Sequence, residues 1–203
     1  MIGSETIGDY EQQSGERCEY LALSFSPLSA PLRSRWRNNG VSADFLGDYV
    51  MTFLPAGGDI AAGGSRRSEI KHAVTYIANE FLENAMKYHE RDRDLPIEIR
   101  LELTSDSITV SASNGISAAQ AARYRAFVQS IVAQDASELI IRQLDRSAAD
   151  HEPEESCVGL LTMISDYGAK LGWRFGLHSE HTEVMTVTTR AVLTISTFSG
   201  LSS

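Results

Sequence analysis

Glu80 and Asn84 stand four residues apart in the stretch NEFLENAMKYHE, residues 79–90. On a helix, that spacing stacks the two side chains one turn apart. A carboxylate can take a proton from an attacking hydroxyl. A carboxamide both donates and accepts hydrogen bonds. A carboxylate and a carboxamide aligned at the rim of a core could act on something held against that rim. The plain alternative is the polar shoulder of an amphipathic helix, where such pairs are common.

The positioning element is a long helix. From Ser68 to His89 the chain has neither glycine nor proline. Ile70, Ala73, Val74, Ile77, Ala78, Phe81, Ala85 and Tyr88 recur at the spacing of one buried face. Successive residues turn by about 100°, which gathers Glu69, His72, Asn79, Glu83, Lys87 and Glu90 on the opposite, wet side. Glu80 and Asn84 fall between the two. His72 and His89 are expected at the surface.

Three other stretches invite chemistry and offer less. Gly58 to Ser65 has the glycine spacing of a phosphate-binding loop, but Gly64 occupies the lysine position. The charge that would meet the β- and γ-phosphates is missing, so a flexible connector is expected. His178 and His181 lie in an expected hairpin turn without the further ligands a metal requires, so a solvated turn is expected. Arg33, Arg35 and Arg37 around Trp36 suit a phosphate, a partner or an ordinary surface equally well.

Composition limits the classes. Of 203 residues, 42% are hydrophobic, enough for a sizeable core. A net charge of −9 opposes general nucleic-acid binding, which needs a basic face. No apolar run is long enough for a membrane-spanning helix. The polar start lacks a signal-peptide core, and Cys18 and Cys157 make no disulfide framework. A cytoplasmic protein is expected.

Residues 1–17 read as a flexible tail and 18–203 as one domain. Strands are expected over 20–25, 97–103, 108–113, 173–177 and 184–195, from β-propensity and period-two alternation. Helices are expected over 42–54, with Ser42 as cap; from the capping box Ser117-x-x-Gln120 to Ala133; from Asp135 to Ser147; and over 158–172. Antiparallel pairs with helices between them predict an α+β fold. It is a two-layer α/β sandwich with a mixed, mostly antiparallel sheet and helices on one face.

Three stretches, in order, resemble known motifs. Glu80-x-x-x-Asn84 on a helix, VSASNG (110–115) on a strand, and CVGLL (157–161) opening a helix resemble the N, G1 and G2 boxes of the GHKL (Bergerat-fold) ATPases and kinases. The resemblance implies that Glu80 is a general base and Asn84 a Mg2+ ligand. It places Lys87 near the phosphates of ATP, Ser113, Asn114 and Gly115 near adenine, and Gly159 and Leu160 near the phosphates. Residues 117–156 take the place of the lid. Ser113 stands where the family has an aspartate, and Gly159 stands alone where the family often has several glycines. A neutral hydroxyl gives a weaker hydrogen bond than a carboxylate.

Over residues 20–195 the chain resembles SiaB-type and anti-sigma-factor kinase-like bacterial regulators. That resemblance implies a Mg-ATP-dependent serine/threonine kinase acting on a STAS-domain antagonist in a partner-switching pathway. The alternative is a non-catalytic module that binds a protein partner with weak or no ATP binding. A homodimer is compatible with either.

Overall fold

IEIRLEL and SITVSASNGI alternate apolar and polar residues on either side of a short turn. They fold as β3 (Ile97–Leu103) and β4 (Ser107–Ile116), paired antiparallel, with the Thr104 amide donating to the Ser107 carbonyl at the turn. The computed structural model describes residues 4–10, 18–26, 32–54, 60–90, 95–133, 158–178 and 184–195; residues 32–38 and 60–65 are described as backbone only. The expected helix over 135–147, Cys157, Gly58 and the turn 179–183 lie outside the described residues.

β1 (Glu5–Gly8), β2 (Glu19–Phe25), β5 (Lys170–Leu177) and β6 (Met185–Thr194) complete a six-stranded sheet in the order β1-β5-β6-β4-β3-β2. Every pairing among these strands is antiparallel, so the sheet is not mixed within the described residues. Residues 5–8, expected in a tail, form an edge strand. Glu5 holds it with an ion pair to Arg125 at 2.8 Å, a long-range contact with no local sequence signal.

Alternation assigns every strand residue to one of two faces. Ile108, Val110, Ala112, Asn114 and Ile116 of β4 share the core face with Ile99, Leu101, Val187 and Ala191 of the strands beside it. Ser107, Thr109, Ser111, Ser113 and Gly115 point the other way. Trp173 and Phe175 of β5 join the core and are all but fully buried.

The helices are α1 (Leu32–Met51), α2 (Ile60–Tyr88), α3 (Ala118–Val132) and α4 (Val158–Ser165). α2 starts eight residues before the expected boundary and carries Gly63 and Gly64 in its first turns. It buries the predicted stripe except Tyr88, which is only partly covered, and also Leu82 and Met86. Those two side chains widen the buried face because α2 meets β3 and β4 on one side and α1 on the other.

α1 is longer than expected, running ten residues ahead of Ser42 through Asn39-Gly40, a dipeptide that favours a turn. Packing against α2 overrides the local signal: Asn39, Ala43, Leu46 and Val50 are buried at helical spacing. Arg67 of α2 donates to the Met51 carbonyl at 2.8 Å and to the Leu54 carbonyl, satisfying backbone groups at the end of α1. Lys71 pairs with Asp48.

The expected helix over 158–172 stops at Ser165. Gly168 turns the chain at φ +61°, Ala169 donates to the Met163 carbonyl at 2.9 Å, and β5 begins at Lys170. The stop is the glycine four residues before Gly172. The capping box of α3 forms as expected, with Gln120 N–H donating to Ser117 Oγ at 3.2 Å.

The α1–α2 crossing gives two substitutions of opposite sign. A Cβ on Gly47 would lie 2.2 Å from Thr75 Oγ1 and 3.3 Å from the Lys71 carbonyl, whereas one on Gly40 meets open space. Gly47→Val is expected to destabilise by about 1–3 kcal/mol as overpacking. Gly40→Ala, in an exposed helix interior, is expected to stabilise by about 0.5–1 kcal/mol. Urea unfolding of the two variants beside wild type measures both.

Candidate functional site

Glu80 lies where α2 meets α4. A Cβ on Gly159 would sit 2.1 Å from Glu80 Oε2, so the lack of a side chain there is what lets α4 approach the carboxylate. Tyr76 and Tyr167 flank the contact with ring centroids 5.5 Å apart. Burial pushes the Glu80 carboxyl above its ordinary range, and Glu83 one turn away pushes it further. The Tyr76 hydroxyl is raised as well, chiefly by burial. Glu83 itself accepts a 2.9 Å hydrogen bond from Asn79.

Asn84, one turn on, faces a different space. It lines a small cavity with Phe81, Tyr88, Asn114, Tyr124 and Thr189. The cavity measures about 20 Å³, roughly one water molecule. Tyr124 of α3 forms one wall of it. Its ring stacks on Tyr88 at 6.4 Å and meets Phe175 edge-on at 6.0 Å. Its hydroxyl accepts a 3.0 Å hydrogen bond from the Trp173 indole. Ala121, Val128 and Ile131 bury the rest of the α3 face. The part of the lid-equivalent segment that is described is thus packed into the core.

The sequence-derived site residues therefore separate into groups. Glu80 and Gly159 are in contact, and Asn84 and Asn114 share the cavity. Ser113 is not with them. Alternation along β4 turns it to the outer face, where its hydroxyl bonds Thr188 Oγ1 at 2.9 Å. Gly115 lies against Leu95 and His89, with its carbonyl accepting from the Glu90 amide at 2.9 Å. Lys87 is exposed, its ammonium 4.9 Å from the Tyr88 ring centroid. Leu160 is a core residue. His72 is exposed as expected, but His89 is buried, because the chain folds back over Gly115 at the end of α2.

Tyr124 is the site residue that sequence reasoning missed. Its only sequence signal is its place in an apolar helical pattern after a capping box, which fits any core position. The residues also bear on ATP and Mg2+. Sites for ligands of drug size measure roughly 300–1,000 Å³, far above the space beside Asn84. Ser113 faces away, and Lys87 lies outside the cavity lining. In this arrangement the space beside Asn84 is the size of a water molecule, with Ser113 and Lys87 outside its lining. Among the described residues there is also no group of three or more His, Cys, Asp or Glu side chains placed to hold a metal ion.

The chain is similar in fold to a chain of the crystal structure of the SiaB–SiaC complex from Pseudomonas aeruginosa. The TM-score is 0.52 and the identity 16%, over 84% of this chain and 89% of that one. At this identity the likeness establishes the fold. No family model and no curated protein matches the sequence. No described helix is long and apolar enough to cross a membrane.

The half-buried Glu80 carboxyl makes stability depend on pH. Folding raises the Glu80 pKa above the ordinary 4.5, so the folded chain holds this proton more tightly than the unfolded chain does. That contribution is fully present below 4.5 and is lost as pH rises through the raised value. Glu80→Gln is expected to melt higher than wild type at pH 8, with the gain vanishing at pH 4. Thermal melts at the two pH values test this, and a gain of equal size at both would show that ionisation is not the cause.

Proposed function

We propose that this protein is a regulator of the partner-switching kind that acts by binding a protein partner, with its nucleotide cleft closed in this state. The observation that carries the reading is Tyr124, which occupies the space beside Asn84 and Asn114 that a ligand would need. The solved neighbour supports a protein partner, since it belongs to a two-protein complex. A STAS-domain antagonist is the partner that the family resemblance implies.

The surface of α1 offers a place for it. Val41, Phe45 and Phe53 are 68%, 50% and 44% exposed. Phe45, Tyr49 and Phe53 form a ladder with centroid separations of 6.4 and 5.2 Å. A run of exposed apolar side chains on one helix face is what a protein contact uses, and isolated exposed residues are not. Aromatic anchors at such contacts carry a large share of the affinity.

Phosphoryl transfer to the partner, with Glu80 as base, is the second reading. The contact between Glu80 and Gly159 favours it, because a carboxyl raised by burial is a better proton acceptor near neutral pH. It requires α3 to leave the cleft.

Two measurements separate the readings. Millimolar Mg-ATP is expected to leave the melting temperature of wild type unchanged. The partner, retained on immobilised wild type, is expected to bind Phe45→Ser about thirtyfold more weakly, the loss of one strong anchor. Equal retention by Phe45→Ser removes α1 from the interface. A melting temperature that climbs with Mg-ATP, together with phosphate transfer that Glu80→Gln abolishes, replaces the binding reading with the kinase reading.

A further inference from the structure

The face of the sheet opposite the helices carries a buried positive charge. Arg190 of β6 points outward, is only 8% exposed, and has no hydrogen-bond partner for Nε. One Nη reaches Thr109 Oγ1 at 3.5 Å, the outer limit of a hydrogen bond. Arg174 lies diagonally across on β5, where Gly172 is opposite Arg190 and Arg174 is opposite Thr188. None of the ion pairs among the described residues involves either arginine. Arg100, farther along the same face, differs: it pairs with Glu102 at 3.0 Å.

A guanidinium withdrawn from water without a counter-ion is strongly unfavourable. The ring of Tyr10 answers part of the demand, with its centroid 5.5 Å from the Arg174 guanidinium and 6.0 Å from that of Arg190. The N-terminal segment is held flat to place that ring. Gly8 turns at φ +69° and the Asp9 amide donates to the Leu171 carbonyl at 2.8 Å. The backbone at Asp9 and Tyr10 then passes so close to Gly172 that a Cβ there would lie 2.6 Å from it. A ring face, however, makes no hydrogen bond to Nε.

The surroundings are rich in hydroxyls. Ser111 is directly opposite Arg190 on β4, and Ser113 is opposite Thr188. With Thr109 they put four hydroxyls on the face that holds the two arginines. Guanidinium forks match oxyanions, and hydroxyls can donate to further oxygens. A carboxylate has two oxygens to offer, whereas a terminal phosphate has three and inorganic phosphate four.

We propose that Arg190 and Arg174, with the hydroxyls of Thr109, Ser111, Ser113 and Thr188, form a binding site for a phosphate group on the outer face of the sheet, under Tyr10. The site is on the opposite side of the sheet from the cleft and is independent of what the cleft binds. On β3, Glu98 is opposite Ser113 and Glu102 opposite Thr109, and Glu102 is neutralised by its ion pair with Arg100.

The test is thermal melting of the full chain in phosphate-free buffer, titrated with inorganic phosphate, sodium chloride or acetate at matched ionic strength. Phosphate is expected to raise the wild-type melting temperature along a saturating curve, as a ligand of the folded state does. Chloride and acetate are expected to raise it less. Arg190→Met is expected to melt at or above wild type without phosphate, since an unpaired charge has gone, and to bind phosphate about tenfold or more weakly. If Arg190→Met does not fold, Arg174→Gln, which is partly exposed, is expected to weaken the response severalfold. The proposal is overturned if wild type shows no saturable rise, if acetate matches phosphate, or if the folded variant responds as wild type does.

Discussion

The two-residue period of β4 decides the arrangement of everything around it. β4 pairs along its length with β6 on one side and β3 on the other, so its register has no freedom to slip. Once Val110 and Ala112 face the core, Asn114 must face it too, and Ser113 must face away. That single assignment puts Asn114 in the cavity with Asn84 and joins Ser113 to the hydroxyl-rich surface with Arg190. A one-residue shift would exchange the two and bury serines where isoleucine and valine now pack. The two faces of the sheet thus have separate chemistries, and neither can change without the other.

On the helix side, packing governs what chemistry is available. α2 carries both polar residues of interest, but they open onto different neighbours. Glu80 meets the backbone of α4, and Asn84 meets the tyrosine of α3. The first contact is tight because Gly159 has no side chain. The second is tight because Tyr124 is large and has partners on three sides, in Tyr88, Phe175 and the indole of Trp173. Access to Asn84 is therefore a matter of how firmly α3 is held. The stacked aromatic contacts and the buried apolar face of α3 make it a stable wall in this state.

The sequence made the fold class readable because its signals were periodic. The hairpin 97–116 alternates over enough residues to leave no doubt about strand type, and the stripe on α2, from Ile70 to Tyr88, spans about five turns. Motif order singled out Glu80 and Gly159 but gave no sign that the two would touch. What escaped was set by contacts distant in sequence. Glu5 to Gly8 is too short to announce a strand and exists because β5 has a free edge and Arg125 a free charge. Asn39-Gly40 looks like a turn and is helix because Ala43, Leu46 and Val50 must reach α2. His89 looked like a surface residue and is buried by a chain reversal. Ser113 was matched to a motif by its order along the chain, which carries no information about which face of a strand a residue occupies.

The hydrogen bond from the Trp173 indole to Tyr124 has an optical consequence. Trp173 is one of two tryptophans in the chain, and it is fully buried and bonded to the hydroxyl of Tyr124. Any event that draws α3 away breaks that bond and lets solvent reach the ring. The emission of a tryptophan moves to longer wavelength as its surroundings become polar. The indole emission thus reports whether α3 remains packed on the sheet.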